Sequence, residues 1–134
     1  MSTSYFISPI NPLAWKDVTY RSELPVSDLY IDHVQYRQQL LRRWPNAEVV
    51  ESTSPLMLLS WDLFRAGMEG HLHSDHQNVS FKAGKGLVDF VLWHRAFISA
   101  NYTLFLSRDS SWDSLELSAA TAEQEIVDFL GFHL

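Results

Sequence analysis

Three imidazoles and a carboxylate stand within six residues, His71-Leu72-His73-Ser74-Asp75-His76. Imidazole nitrogens and carboxylate oxygens are ligands of divalent zinc, and the pattern H-x-H-x-D-H supplies four of them in one short stretch. Such a set can bind metal, and two adjacent metals can activate a water as a nucleophile. His71, His73, Asp75 and His76 are therefore the candidate metal ligands. Other reactive groups are scattered. His94 and Arg95 fall inside a helical pattern, where they either face a cleft or support the core through hydrogen bonds. Asp109, Asp113 and Glu116 lie near a turn, and carboxylates form an acid/base pair only at the right separation in space, which sequence does not show. Ser110-Ser111 carries no nucleophile signature. Gly84-Lys85-Gly86 precedes a helix but lacks the P-loop and dinucleotide fingerprints, so it reads as a strand-to-helix turn.

Composition narrows what can surround these groups. The chain has 134 residues, 46% of them hydrophobic, with eight Phe, five Trp and five Tyr. That is enough apolar volume for one core, so a single domain over residues 1–134 is expected. Lys and Arg number 10 against 16 Asp and Glu, a formal charge of −6. An acidic surface repels phosphate backbones, so nucleic acid is not an expected ligand, whereas a basic protein suits the charge. The absence of cysteine excludes disulfides, thiolate metal sites and a Cys nucleophile. Residues 1–9 lack the basic start and apolar stretch of a signal peptide, and no apolar run approaches membrane-spanning length. A cytoplasmic location with no membrane partner is the expectation.

The elements that must position the six residues follow from periodicity. Tyr5-Phe6-Ile7 reads as a short strand stopped by Pro9 and Pro12. Residues 9–27 read as an irregular crossing, pinned by Trp15, Val18 and Tyr20. Leu29-Tyr30-Ile31 looks extended, and Asp32 caps a helix with Tyr36, Leu40, Leu41 and Trp44 on its buried stripe. Val49-Val50 and Leu56 to Phe64 are strands, the second with Met57, Leu59, Trp61 and Leu63 on one face. Met68–Ser74 and Gln77–Ala83 then form a hairpin. Pairing Ser74 with Gln77 sets Leu72 against Val79, Gly70 against Phe81 and Met68 against Ala83. The same register sets His73 against Asn78, His71 against Ser80 and Glu69 against Lys82, all polar. Leu87 to Ser99 is an apolar helix, Tyr102 to Leu106 and Trp112 to Leu117 are strands, and Thr121 caps a last helix. Hairpins dominate, so the expected fold is α+β, a mainly antiparallel sheet with helices packed on one face in two layers.

The string His71–His76 resembles the metal-binding motif of the metallo-β-lactamase-like hydrolases. There the first two histidines hold one zinc, and the aspartate and third histidine a second. The resemblance covers six residues. In that superfamily the motif leads from a strand into a helix, and further His and Asp ligands follow on later loops of a larger four-layer fold. Here Asn78 to Lys82 continues as an alternating strand. The downstream histidines are His94, inside a helix, and His133, next to the last residue. A metal-binding protein or metal-dependent hydrolase, with zinc or another divalent metal, therefore stands as the alternative. The leading expectation is a non-enzymatic protein with no catalytic site and no cofactor.

A second resemblance spans most of the chain after residue 28. Its carriers are Tyr30-Ile31-Asp32, Leu40-Leu41-Arg42-Arg43-Trp44-Pro45-Asn46-Ala47, Val88 to Arg95, and Leu115-Glu116-Leu117 with Thr121 to Ile126. These stretches resemble small bacterial α+β proteins, some of the toxin-immunity type. The resemblance implies a domain that binds and neutralises a protein, and the acidity suits a basic toxin. Trp112, Asp109 and Asp113 are the candidate protein-binding patch.

Overall fold

Ser4, paired with Lys82, opens the ladder of a strand that lies inside a sheet rather than at its edge. The computed structural model describes residues 4–16, 26–52, 54–63, 68–84, 86–108 and 113–131, with the side chains of residues 15 and 16 left aside. The expected pinning role of Trp15, Val18 and Tyr20 lies outside what is described. The elements are β1 (Ser4–Ser8), α1 (Leu13–Lys16), α2 (His33–Arg43), β2 (Glu48–Glu51), β3 (Met57–Asp62), β4 (Glu69–His73), β5 (Val79–Lys82), α3 (Leu87–Phe97), β6 (Leu104–Arg108), β7 (Ser114–Leu117) and α4 (Glu123–Leu130). The fold is α+β, dominated by a seven-stranded antiparallel sheet of order β2-β3-β4-β5-β1-β6-β7.

The position of β1 has a topological consequence. It pairs antiparallel with both β5 and β6, so those two strands run parallel to each other on either side of it. Parallel strands cannot be joined by a tight turn, and α3 supplies the crossover between them. Central placement also gives β1 ladder partners on both sides, which satisfies its backbone without a water-exposed edge.

The β4–β5 hairpin has the register its side chains demand. Gly70 faces Phe81, His71 faces Ser80 and Leu72 faces Val79. Leu72, Val79 and Phe81 are buried. At the far end of the hairpin, Glu69 and Lys82 form an exposed ion pair at 3.8 Å, worth little by itself. On β3 a register shift between Met57 and Leu59 inserts an extra residue. Such a bulge turns the strand locally. Leu59, Trp61 and Leu63 remain buried as expected, while Met57 is only half-buried.

Trp61 organises the core. It meets Tyr36 of α2 at 5.6 Å and Phe90 of α3 at 5.8 Å between ring centroids, and Phe90 meets Phe81 of β5 at 5.1 Å. The indole lies flat across Gly70, its neighbour on β4. A Cβ at Gly70 would stand 2.6 Å from Trp61 Nε1. Glycine is therefore required here for close approach rather than for a special backbone angle.

Two of three sequence expectations change. Leu29-Tyr30-Ile31 joins no ladder. Asp32 does cap α2, its carboxylate accepting from Val34 N at 2.9 Å and Gln35 N at 3.4 Å. Thr121 does not cap α4: the helix starts one residue later at Ala122, whose N–H donates to Glu125 Oε1 at 3.2 Å, while the Thr121 hydroxyl accepts from Ser118 N at 2.8 Å. Among the described residues no helix is long and apolar enough to cross a membrane.

Gly70→Ala forces the buried indole out of a filled site. A loss of about 1–3 kcal/mol in urea unfolding is expected, and a Trp61→Phe background, with a smaller ring, recovers part of it in a double-mutant cycle.

Candidate functional site

Strand alternation sends His71 and His73 to the face of β4 opposite Gly70 and Leu72. On that face each imidazole meets a serine from a neighbouring strand. Ser60 Oγ of β3 lies 2.8 Å from His71 Nδ1, and Ser80 Oγ of β5 lies 2.8 Å from His73 Nε2. Partial burial holds His71 below the usual imidazole range, against the pull of Glu69 and aided by Lys82. Partial burial lowers His73 as well, opposed by Asp75 and reinforced by His71. Both rings are therefore neutral near pH 7, and each stitches β4 to an adjoining strand.

Asp75 serves the turn. Its Oδ1 accepts from Gln77 N at 2.8 Å and Asn78 N at 2.9 Å, and the Asn78 side-chain amide donates to Oδ2. Burial pushes this carboxyl up, but the bonds from Asn78 and Gln77 outweigh it and hold the group below its ordinary value. An aspartate bonding the backbone two residues on is the usual way a turn is closed without glycine. The strained position is His76, which takes φ 60° and is the sole non-glycine with positive φ among the described residues. Its N–H donates to His73 O at 3.1 Å.

His76 and Gln77 then reach out of the hairpin to the segment before α2. Ile31 N donates to His76 O at 2.8 Å, and His76 Nδ1 lies 2.9 Å from Ile31 O. A carbonyl can only accept, so this imidazole carries its proton on Nδ1. The Gln77 side-chain amide donates to Ser27 O at 2.7 Å and Leu29 O at 3.0 Å. Residues 27–31 join no ladder, and the Ser27 and Leu29 carbonyls and both backbone groups of Ile31 are satisfied here instead. Tyr30 stacks on His76 at 4.3 Å and 17° between ring planes, and His33 stands 6.1 Å from the same imidazole.

The four predicted ligands thus share a hairpin but not a point. Two end on serine hydroxyls, and two bond the backbone. Among the described residues no three His, Asp or Glu side chains gather in a way that could hold a metal ion.

The remaining candidates divide. His94 is fully buried, with Nδ1 3.0 Å from the Tyr36 hydroxyl, and burial together with neighbouring Arg95 drives its pKa down to about 3. Arg95 donates to four carbonyls: Tyr102 O at 2.7 Å, Leu117 O at 3.1 Å, Ile98 O at 3.1 Å and Ser99 O at 2.7 Å. Two of these close the end of α3, and the others tie in the next turn and β7. Both residues are core supports. Asp113 is exposed and accepts from Arg108 Nη2 at 2.7 Å. Asp109 and Trp112, the rest of the candidate protein-binding patch, lie outside the described residues, as do Lys85, Ser110, Ser111 and His133. Gly86, at φ 79°, makes the expected turn into α3.

What the sequence reading missed is an apolar surface around the clasp. Tyr30 and Leu56 are each 68% exposed, Val26 96% and Val34 52%. Leu56 adjoins the hairpin tip, its carbonyl accepting from Ser74 N at 2.9 Å. The available signal was Tyr30 itself: an aromatic one position from the apolar Ile31 points the other way if the segment is extended. Comparison of the chain with protein-family models, curated proteins and solved structures finds no match. Function is therefore read from this geometry.

Gln77→Ala leaves two carbonyls without their donor. A loss of about 1–3 kcal/mol is expected in urea unfolding, with faster amide exchange at Ile31. His94 sets the acid side of stability. The folded protein refuses a proton that the unfolded chain accepts near pH 6.5, so stability is complete above that pH and falls as pH drops toward the folded value of about 3. On the order of 2–3 kcal/mol is lost by pH 4.5, with His71 and His73 acting in the same direction. His94→Gln should flatten the fall of the urea midpoint between pH 7 and pH 4.5.

Proposed function

We propose that this chain is a non-enzymatic protein-binding module of the toxin-immunity kind, acting in the cytoplasm on a basic protein partner without a cofactor. In this reading residues 1–134 form one two-layer domain with the helices on one face of the sheet. Contacts of Tyr36 and Phe90 with the same residue, Trp61, support that arrangement.

The observation that carries the reading is the surface beside the hairpin tip. Tyr30 and Leu56 hold most of their area in water, yet Tyr30 lies between two clasped residues and Leu56 accepts a backbone bond from the tip. Exposed aromatic and aliphatic side chains on an ordered frame are what a binding surface needs, because little further ordering is required when a partner arrives. The formal charge of −6 speeds encounter with a basic protein.

The test is calorimetry with the product of the gene adjacent to this one. Tight binding is expected, weakened at least about tenfold by Tyr30→Ala or Leu56→Ala, as for contacts near the centre of an interface. Lys82→Ala, at the other end of the hairpin, should leave affinity unchanged. Stoichiometric zinc in protein prepared without a tag, lost in His73→Ala, overturns the reading in favour of a metal site.

A further inference from the structure

Tyr30 is an exposed ring that cannot wander. The residues on either side of it are buried, Leu29 at 6% and Ile31 at 1% exposure. The Leu29 carbonyl is held by Gln77, and the Ile31 amide and carbonyl by His76. One face of the phenol ring rests on the His76 imidazole, nearly parallel to it. The exposure of the side chain leaves the other face toward solvent. An immobilised aromatic face of this kind is a platform for a planar group, and its quadrupole favours a cation.

The charges nearby select the same sign. Residues 26–37 and 74–78 carry Asp28, Asp32 and Asp75 against one guanidinium, Arg37. Asp32 and Asp75 are fixed in place by the backbone amides they accept from. Asp28 is anchored by the hydroxyl of Tyr102. Asp28 and Asp32 each lie two residues from Tyr30, and Asp75 precedes the His76 on which the ring stacks, so the local charge disfavours an anionic ligand and favours a cation. Between the two common cations, lysine offers a strongly hydrated point charge, whereas the flat guanidinium of arginine stacks on a ring and still donates sideways to carboxylates.

The protein already uses this arrangement internally. Arg108 lies 5.8 Å from the centroid of Phe129 while donating to Asp113 at 2.7 Å, and Arg43 lies 4.8 Å from the Trp44 ring while pairing with Asp89. Each is a ring, a guanidinium and a carboxylate. At Tyr30 the ring is present with Asp28 and Asp32 two residues away on either side, and among the described residues no arginine is seated over it.

We infer that the open face of Tyr30 is the seat of an arginine side chain projecting from the basic protein partner. This inference rests on the proposed protein-binding function and names the chemistry of its central contact.

The test uses labelled Gly-Arg-Gly-Arg-Gly-Arg-Gly and its lysine counterpart, with fluorescence anisotropy as readout. The arginine peptide should bind about threefold to fivefold more tightly than the lysine peptide. Tyr30→Leu removes that preference and Tyr30→Phe keeps it. Asp32→Asn with Asp75→Asn retains both capping oxygens, since asparagine serves the same turns. That pair weakens both peptides alike, and its thermal melt stays within a few degrees of the parent. Equal binding of the two peptides, or an unchanged preference in Tyr30→Leu, overturns the inference. The two proposals fail separately. If Tyr30→Ala weakens the adjacent gene product while the peptides bind equally, the surface stands and its arginine chemistry is wrong. If Tyr30→Ala changes neither, both fail.

Discussion

The exchange of hydrogen bonds between Ile31 and His76 is the constraint on which the rest of this face depends. Residues 26–31 join no ladder, and a chain segment with unpaired amides near a core is costly. The hairpin tip meets that need with one backbone bond, one imidazole and one carboxamide. Ile31 is thereby driven into the core, Asp32 is delivered to the start of α2, and Tyr30 is left outside. A string of residues that looks made for metal is spent on holding two parts of the chain together. The left-handed backbone of His76 costs on the order of 1 kcal/mol, and it persists because both ends of the residue are bonded.

Polar groups elsewhere follow the same logic. Among the described residues buried Arg95 has no carboxylate in its hydrogen-bond set, and four carbonyls accept from it. A guanidinium has five donors in a fixed plane, which suits the converging ends of a helix, a turn and a strand. His94 accepts a different fate. Enclosed by Tyr36 and Phe90 and next to Arg95, it stays neutral and contributes shape and one hydrogen bond. Such a structural role accounts for the burial and hydrogen bonds of two residues that resemble catalytic equipment.

Much of the fold was legible before any coordinates. The β4–β5 register follows from requiring apolar residues to face apolar ones, and a slip of one residue would send Leu72 and Val79 to water. Asp32 as a cap and Pro45 as a stop frame α2 by local chemistry alone. Other features were out of reach. Leu29-Tyr30-Ile31 is extended in sequence pattern, but pattern cannot tell a ladder from a clasp. Thr121 and Ala122 compete for the start of α4, and the winner depends on where the Ser118 amide points. Tyr5-Phe6-Ile7 reads as a strand, and nothing local says that it lies between β5 and β6.

Local chemistry by itself determined most of the elements, the hairpin register, the acidic character and the absence of thiol chemistry. These depend on neighbours in the chain or on side-chain period, so short-range physics decides them. Only the tertiary structure decided what His71, His73, Asp75 and His76 do. Their partners are Ser60, Ser80, Gln77, Asn78 and Ile31, and the two serines and Ile31 are brought close by sheet order and by a segment 45 residues earlier. A ligand set is a statement about convergence in space. Spacing along a strand sends alternate side chains to one face, but which neighbour awaits them there is set by the strands and loops that fold against it.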